Sequence, residues 1–185
     1  MTRLVFVGAL VGALLLVAGA ASYAMAGGGR KHFRTGALVG YEENPDISTV
    51  ARGRFEVTID DDDKTFTYKL SYERLEGDVQ QAHIHFAKRG VNGGITLFLC
   101  SNLGNGPTGT PECPKSGTVR RTVGASEILA PGVTPTNSVG QGIEEKNFEE
   151  LVDAMRAGAT YANVHSSKWP GGEIRAQIND RAKDD

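Results

Sequence analysis

Cysteine is scarce in this chain of 185 residues: it has two, Cys100 and Cys113. Two thiols cannot build a four-cysteine zinc cage, and their spacing fits no standard thiolate metal motif. Aromatic residues make up 7% of the chain, with a single tryptophan. No basic stripe is present; 20 Lys and Arg are scattered among 22 Asp and Glu, which leaves no footprint for nucleic acid. Asn-x-Ser/Thr sequons are absent, so N-glycosylation is not implied. Ser101, Ser166 and Ser167 lie near histidines or a cysteine, but no nucleophile-elbow sequence surrounds them. Paired carboxylates occur only in expected turns and on one expected helix.

Charge is also missing between Arg3 and Arg30. A basic start, an apolar run and the small residues Ala24-Met25-Ala26 have the layout of a secretory signal peptide, with cleavage expected after Ala26. The run is long enough to span a bilayer if left uncleaved. In that case Arg30, Lys31 and Arg34 would sit on the outer side, where positive charge is disfavoured. No cysteine follows the run, so lipid attachment is not expected there. Membrane association is therefore expected only if this segment is retained. The rest of the chain is expected to be exported, as a secreted, cell-surface or periplasmic protein. Without Arg3 the remaining 19 Lys and Arg face 22 Asp and Glu, a net charge of −3. We expect a linker at 27–32, one domain at 33–179 and a frayed tail at 180–185. Outside the cytosol an even pair of cysteines forms a disulfide, here closing the Gly-, Pro- and Asn-rich SNLGNGPTGTPE.

Period-two patterns dominate the mature part. Phe55, Val57 and Ile59 share one face of a run, and Phe66, Tyr68, Leu70 and Tyr72 share one face of the next. The acidic Asp60–Asp63 between them reads as a hairpin turn. A calcium loop is the sharper alternative, but the Gly and distal Glu of an EF-hand loop are missing. Further strands are expected at 79–87, 95–100, 118–123, 159–166 and 173–178. Residues 131–142 read as an irregular loop. One helix is expected, NFEELVDAMRAG, capped by Asn147 with Glu150 three residues on and closed by Gly158, as a lid on a sheet core. Seven to nine strands with frequent turn signals predict an antiparallel sandwich or barrel.

The segments GALVGYEENP, AHIHFAKRGVNGG, FLCSNL, the ECP around Cys113, and the closing NFEELVDAMRAGATYANVHSSKWPGGEIRAQI resemble a CHRD domain, the module first described in chordin. The resemblance spans roughly 33–179. It implies an all-β fold, an immunoglobulin-like or superoxide-dismutase-like antiparallel β-sandwich with one short helix. It carries no settled biochemical activity. Chordin antagonises bone morphogenetic proteins, but nothing in this chain carries that partner over. An extracellular ligand or protein partner is implied without being identified.

The dismutase similarity bears on the histidines. His83 and His85 share one face of an expected strand by parity, while Ala82, Ile84 and Phe86 share the other. His165 shares a face with Tyr161 and Asn163. A copper–zinc dismutase site needs more imidazoles than these three supply, and no zinc-ligand set follows Cys100, so dismutation is not expected. If the two strands are close neighbours, three imidazoles meet in a site suited to zinc or copper. Asn163, Glu173 and Arg175 would then be its supporting residues. The alternative is a metal-free polar face on which these groups pair across strands. Trp169, in a Pro-Gly loop, is either a core cover or an exposed contact. Three readings follow in order: a non-enzymatic exported binding or structural module, a three-histidine metal-binding domain, and an enzyme using that metal.

Overall fold

A computed structural model describes residues 30–179, so the signal-like segment, part of the expected linker and the tail lie outside the described residues. The fold is all-β and antiparallel. Its strands are β1 (Lys31–Thr35), β2 (Arg52–Asp60), β3 (Thr65–Glu73), β4 (Val79–Phe86), β5 (Gly94–Ser101), β6 (Gly117–Gly124), β7 (Thr160–Ser166) and β8 (Ile174–Asn179). One helix, α1, spans Phe148–Arg156. The strands form one continuous sheet in the order β5-β4-β7-β8-β1-β2-β3-β6. It curls until its ends nearly meet. The Tyr68 hydroxyl on β3 donates to the Leu99 carbonyl on β5 at 2.6 Å. The Leu129 amide, just after β6, donates to Thr96 on β5 at 2.8 Å. The result is close to a barrel.

Alternation explains the strands. The β2 and β3 residues Phe55, Val57, Ile59, Phe66, Tyr68, Leu70 and Tyr72 all point into one buried core. The core also takes Ala82 and Ile84 from β4, Leu97 and Leu99 from β5, and Ile174, Ala176 and Ile178 from β8. The turn between β2 and β3 is organised by Asp60, whose carboxylate accepts from the amides of Asp62 and Asp63. Asp61 pairs instead with Lys31 and Arg156, so cations neutralise this acidic turn.

The Asn147 side chain accepts from the Glu150 amide at 3.2 Å and opens α1. Gly158 takes φ +61 just after the helix, a conformation glycine adopts without strain. The Glu150 carboxylate, however, accepts from the Glu144 amide upstream of the cap. Phe148, Leu151, Val152 and Met155 are buried, and Phe148 packs on Phe66 with centroids 4.6 Å apart.

Two features differ from the sequence reading. β1 begins at Lys31, inside the segment expected to be a linker; its short KHFRT buries only Phe33 and Thr35. The second is the face of β8 that was expected to point outward, carrying Glu173, Arg175 and Gln177. All three are buried, because loops cover the outside of the sheet there. Arg175 donates to the carbonyls of Lys88 and Val91, and Gln177 donates to those of Ala87 and Gly158. The outside of β4, β7 and β8 therefore holds a second, polar interior.

Cys100 and Cys113 stand at disulfide-bonding distance, with Cα atoms 5.0 Å apart and a separation of 13 positions in sequence. Both are buried at the core edge. A Cys100→Ser/Cys113→Ser variant is expected to lose about 2–3 kcal/mol in urea unfolding. Unchanged stability would mean that the intervening loop is held by its other contacts alone.

Candidate metal centre

β4 and β7 are adjacent and antiparallel, and their register builds the site. His83 lies opposite Asn163, His85 opposite Tyr161, and Gln81 opposite His165. His165 is thus one step along the ladder from His83, on the same outer face. The rows extend to β8, where Asn163 faces Arg175 and Tyr161 faces Gln177. The separation left open by the sequence is short. One nitrogen from each of His83, His85 and His165 lies within 4.8 Å of the others.

Hydrogen bonds orient two of the rings. His85 Nδ1 lies 2.9 Å from the Gly93 carbonyl. His165 Nδ1 lies 2.9 Å from the Pro170 carbonyl. A carbonyl only accepts, so in both rings Nδ1 carries the proton and donates. Each Nε2 is then a lone pair. His83 Nδ1 lies 3.2 Å from His165 Nε2, and donates to it in the metal-free protein. The Nε2 atoms of His83 and His85 are buried without a hydrogen-bond partner. Gly93 must be glycine, since a Cβ there would fall on the Phe86 carbonyl oxygen. That close approach holds the Gly93 carbonyl against His85.

All three rings are neutral near pH 7. Burial pulls His83 down to about 2, with further repulsion from His165 and His85. Burial likewise pulls His85 down to about 4, against the opposing pull of the Gly93 hydrogen bond. His165 is lowered by burial and partly restored by the Pro170 carbonyl. Neutral imidazole is the form that ligates a metal.

The surroundings are layered. Phe98 meets the His83 ring edge-on at 4.4 Å. Tyr161 stacks on His85 with centroids 4.7 Å apart and planes 2° from parallel. The Arg175 guanidinium lies 3.3 Å above the other face of Tyr161. Asn163 Oδ1 lies 3.1 Å from His165 Nε2.

Of the three supporting residues expected from sequence, Asn163 touches a histidine directly. Arg175 reaches the site through Tyr161. Glu173 lies elsewhere: its carboxylate accepts from the Thr49 hydroxyl and the Glu76 amide, both at 2.8 Å. The fourth histidine, His32, is exposed on β1 beside Thr58. The sequence reading missed Glu43. Burial raises its carboxyl to about 7, against the pull of Arg175 and of the Asn163 side chain. Its Oε1 has no partner, and a Cβ at Gly172 would stand 2.5 Å from that oxygen. In YEENP the adjacent Glu42 and Glu43 look alike. Only the fold separates them, putting Glu42 on Arg89 at the surface and Glu43 inside.

Among the described residues, two open recesses lie away from the histidines. The larger, about 470 Å³, is lined by residues that include Arg52, Arg54, Glu73 and Thr118. The smaller, about 240 Å³, is lined by residues that include Asp78, Asn102 and Lys115. The imidazole cluster itself is closed, with His83 0%, His85 7% and His165 6% exposed.

Fold and site together define a curled antiparallel β-sheet domain with a buried triple-imidazole cluster on its outer face. The model of the CHRD domain family matches residues 35–178, and the chain belongs to that family. No curated protein and no solved structure matches the chain.

Proposed function

We propose that this CHRD domain is an exported, non-enzymatic binding module whose bound species is a transition-metal ion, zinc or copper, held by His83, His85 and His165. One observation carries the reading. His85 and His165 both spend Nδ1–H on backbone carbonyls, which fixes the tautomer that leaves Nε2 to ligate. Ligand histidines are oriented in this way by outer hydrogen bonds. Two nitrogens bound to one tetrahedral ion stand about 3.4 Å apart, given metal–nitrogen bonds near 2.05 Å. The 3.2 Å between His83 Nδ1 and His165 Nε2 is close to that spacing. An ion seated there takes the place of the His83 Nδ1 proton, which passes to His83 Nε2 so that the ring stays neutral. A polar face without metal leaves the buried Nε2 of His85 with a lost hydrogen bond, at about 1–3 kcal/mol.

The closed site gives a substrate no entry, so no turnover is proposed. The kinship with immunoglobulin-like or dismutase-like sandwiches belongs to the same reading, because the curled sheet offers two opposed inner walls. Export rests on the signal-like N-terminus, the paired cysteines and the extracellular habit of CHRD domains.

The test is metal analysis and thermal unfolding of untagged protein. The expected result is one zinc or copper per chain and a rise in Tm on metal addition, both absent from His83→Ala and His165→Ala. Metal-free protein with no thermal shift would sink the reading.

A further inference from the structure

We propose that the three-histidine site selects cuprous copper over zinc and cupric ions. The inference rests on the metal-binding reading above and adds to it the charge and coordination number of the ion.

The first argument is charge. Among the described residues the cluster contains no carboxylate and no thiolate, only three imidazoles. The nearest fixed charge is positive: Arg175 is 1% exposed and stacked through Tyr161 onto His85. Among the described residues no carboxylate lies within ion-pair distance of Arg175, whose hydrogen bonds go to the Asn92 side-chain oxygen and two backbone carbonyls. The desolvation penalty of an ion grows with the square of its charge. A dication therefore pays about four times the price of a monocation in the same buried site. Zinc sites usually offset that with thiolates or carboxylates, or with a bound hydroxide. This pocket supplies none of these from its own ligand atoms.

The second argument is coordination number. Zinc takes four ligands, the fourth being water or substrate where the protein gives three. Cupric ion prefers a tetragonal set of nitrogen and oxygen ligands. Here Phe98 and Tyr161 pack against His83 and His85. No further His, Cys, Asp or Glu joins the cluster among the described residues, and the neighbouring Asn163 offers a neutral amide oxygen, a hard donor that does not offset a dication's charge. A d¹⁰ monocation is satisfied by three imidazoles in a trigonal arrangement and needs no water. Imidazole suits copper as well as zinc, so the ligand type does not oppose the choice.

The charge argument makes its own prediction for Glu43. Its carboxyl feels the Asn163 side chain, which stands 3.1 Å from His165 Nε2. A dication can draw compensation by ionising that carboxyl, whereas a monocation has less need of it. Glu43→Gln should therefore weaken zinc more than cuprous copper.

The experiment is anaerobic competition of the untagged protein for Cu(I) against a chromogenic Cu(I) chelator. Parallel titrations use Zn(II) and Cu(II) against their own chelators. We expect 1:1 Cu(I) binding at least about a thousandfold tighter than Zn(II), with the gap widened in Glu43→Gln and binding lost in His165→Ala. Zinc binding as tightly as Cu(I) through the same histidines would overturn this inference and leave the metal-binding reading standing. Failure of all three ions to bind would overturn both. The wild-type comparison decides the preference even if a histidine variant fails to fold.

Discussion

Acidifying the metal-free protein from pH 7 to pH 4 is expected to remove about 3 kcal/mol or more of folding stability. His83 and His85 have pKa values of about 2 and 4 in the fold, against 6.5 in an open chain. A depressed histidine excludes a proton that the unfolded chain binds. Its contribution is present above pH 6.5 and is lost as pH falls toward the folded value. Over that window each ring gives up about 3 kcal/mol. His165 shifts in the same direction.

Glu43 acts with the opposite sign. Its pKa rises from 4.5 to about 7, so the folded carboxyl keeps a proton that the unfolded chain releases. That contribution is full below pH 4.5 and is lost as pH rises through 7. Acidification therefore restores about 3 kcal/mol through Glu43, and the histidines still win. Urea denaturation at pH 7, 6, 5 and 4 reads the balance. Glu43→Gln should steepen the acid loss and His83→Leu should flatten it. A protein that grows more stable on acidification would contradict this ordering of charges.

Replacing Arg175 should also be severe. Its guanidinium donates to the Lys88 carbonyl at 3.2 Å, the Val91 carbonyl at 2.8 Å and Asn92 Oδ1 at 3.3 Å. It also covers the Tyr161 ring. Arg175→Leu keeps apolar volume but strands these acceptors in the polar interior, and bonds from a charged donor are worth about 1.5–3 kcal/mol each. Loss of several together, softened by relaxation of the loop, predicts about 4 kcal/mol of destabilisation in urea. The 88–92 loop should also loosen, seen as faster amide exchange at Val91, Asn92 and Gly93. Since Gly93 orients His85, metal affinity should fall with it. A variant of unchanged stability and exchange would show that the loop is held without Arg175.

The strands were legible because alternation survives wherever one sheet face is core, as in Phe55-Glu56-Val57 and Tyr68-Lys69-Leu70. α1 was legible from Asn147 and Gly158, which mark its ends in a local code. β1 was not: KHFRT offers one large apolar residue, and only pairing with β2 and β8 makes it a strand. Parity placed His83 and His85 on one face, but parity says nothing of which strand lies alongside. The register of β4 on β7 decided that His165 joins them. The sequence reading failed where alternation has two meanings. Arg175 and Gln177 alternate like solvent-facing residues, yet loops far off in sequence bury them. Glu173 shares their parity, but its carboxylate goes to Thr49 and Glu76. Glu43 had no local signal, since the burial that shifts it comes from distant parts of the chain.

The account turns on one ion bound by three imidazoles. X-ray absorption at the metal edge of protein loaded with one equivalent of copper or zinc tests it most directly. The predicted spectrum shows three nitrogen neighbours at about 2.0 Å with the outer-shell scattering of imidazole rings. That signature should vanish in His165→Ala. A first shell dominated by oxygen, or a spectrum unchanged by His165→Ala, would place the metal elsewhere and contradict the account.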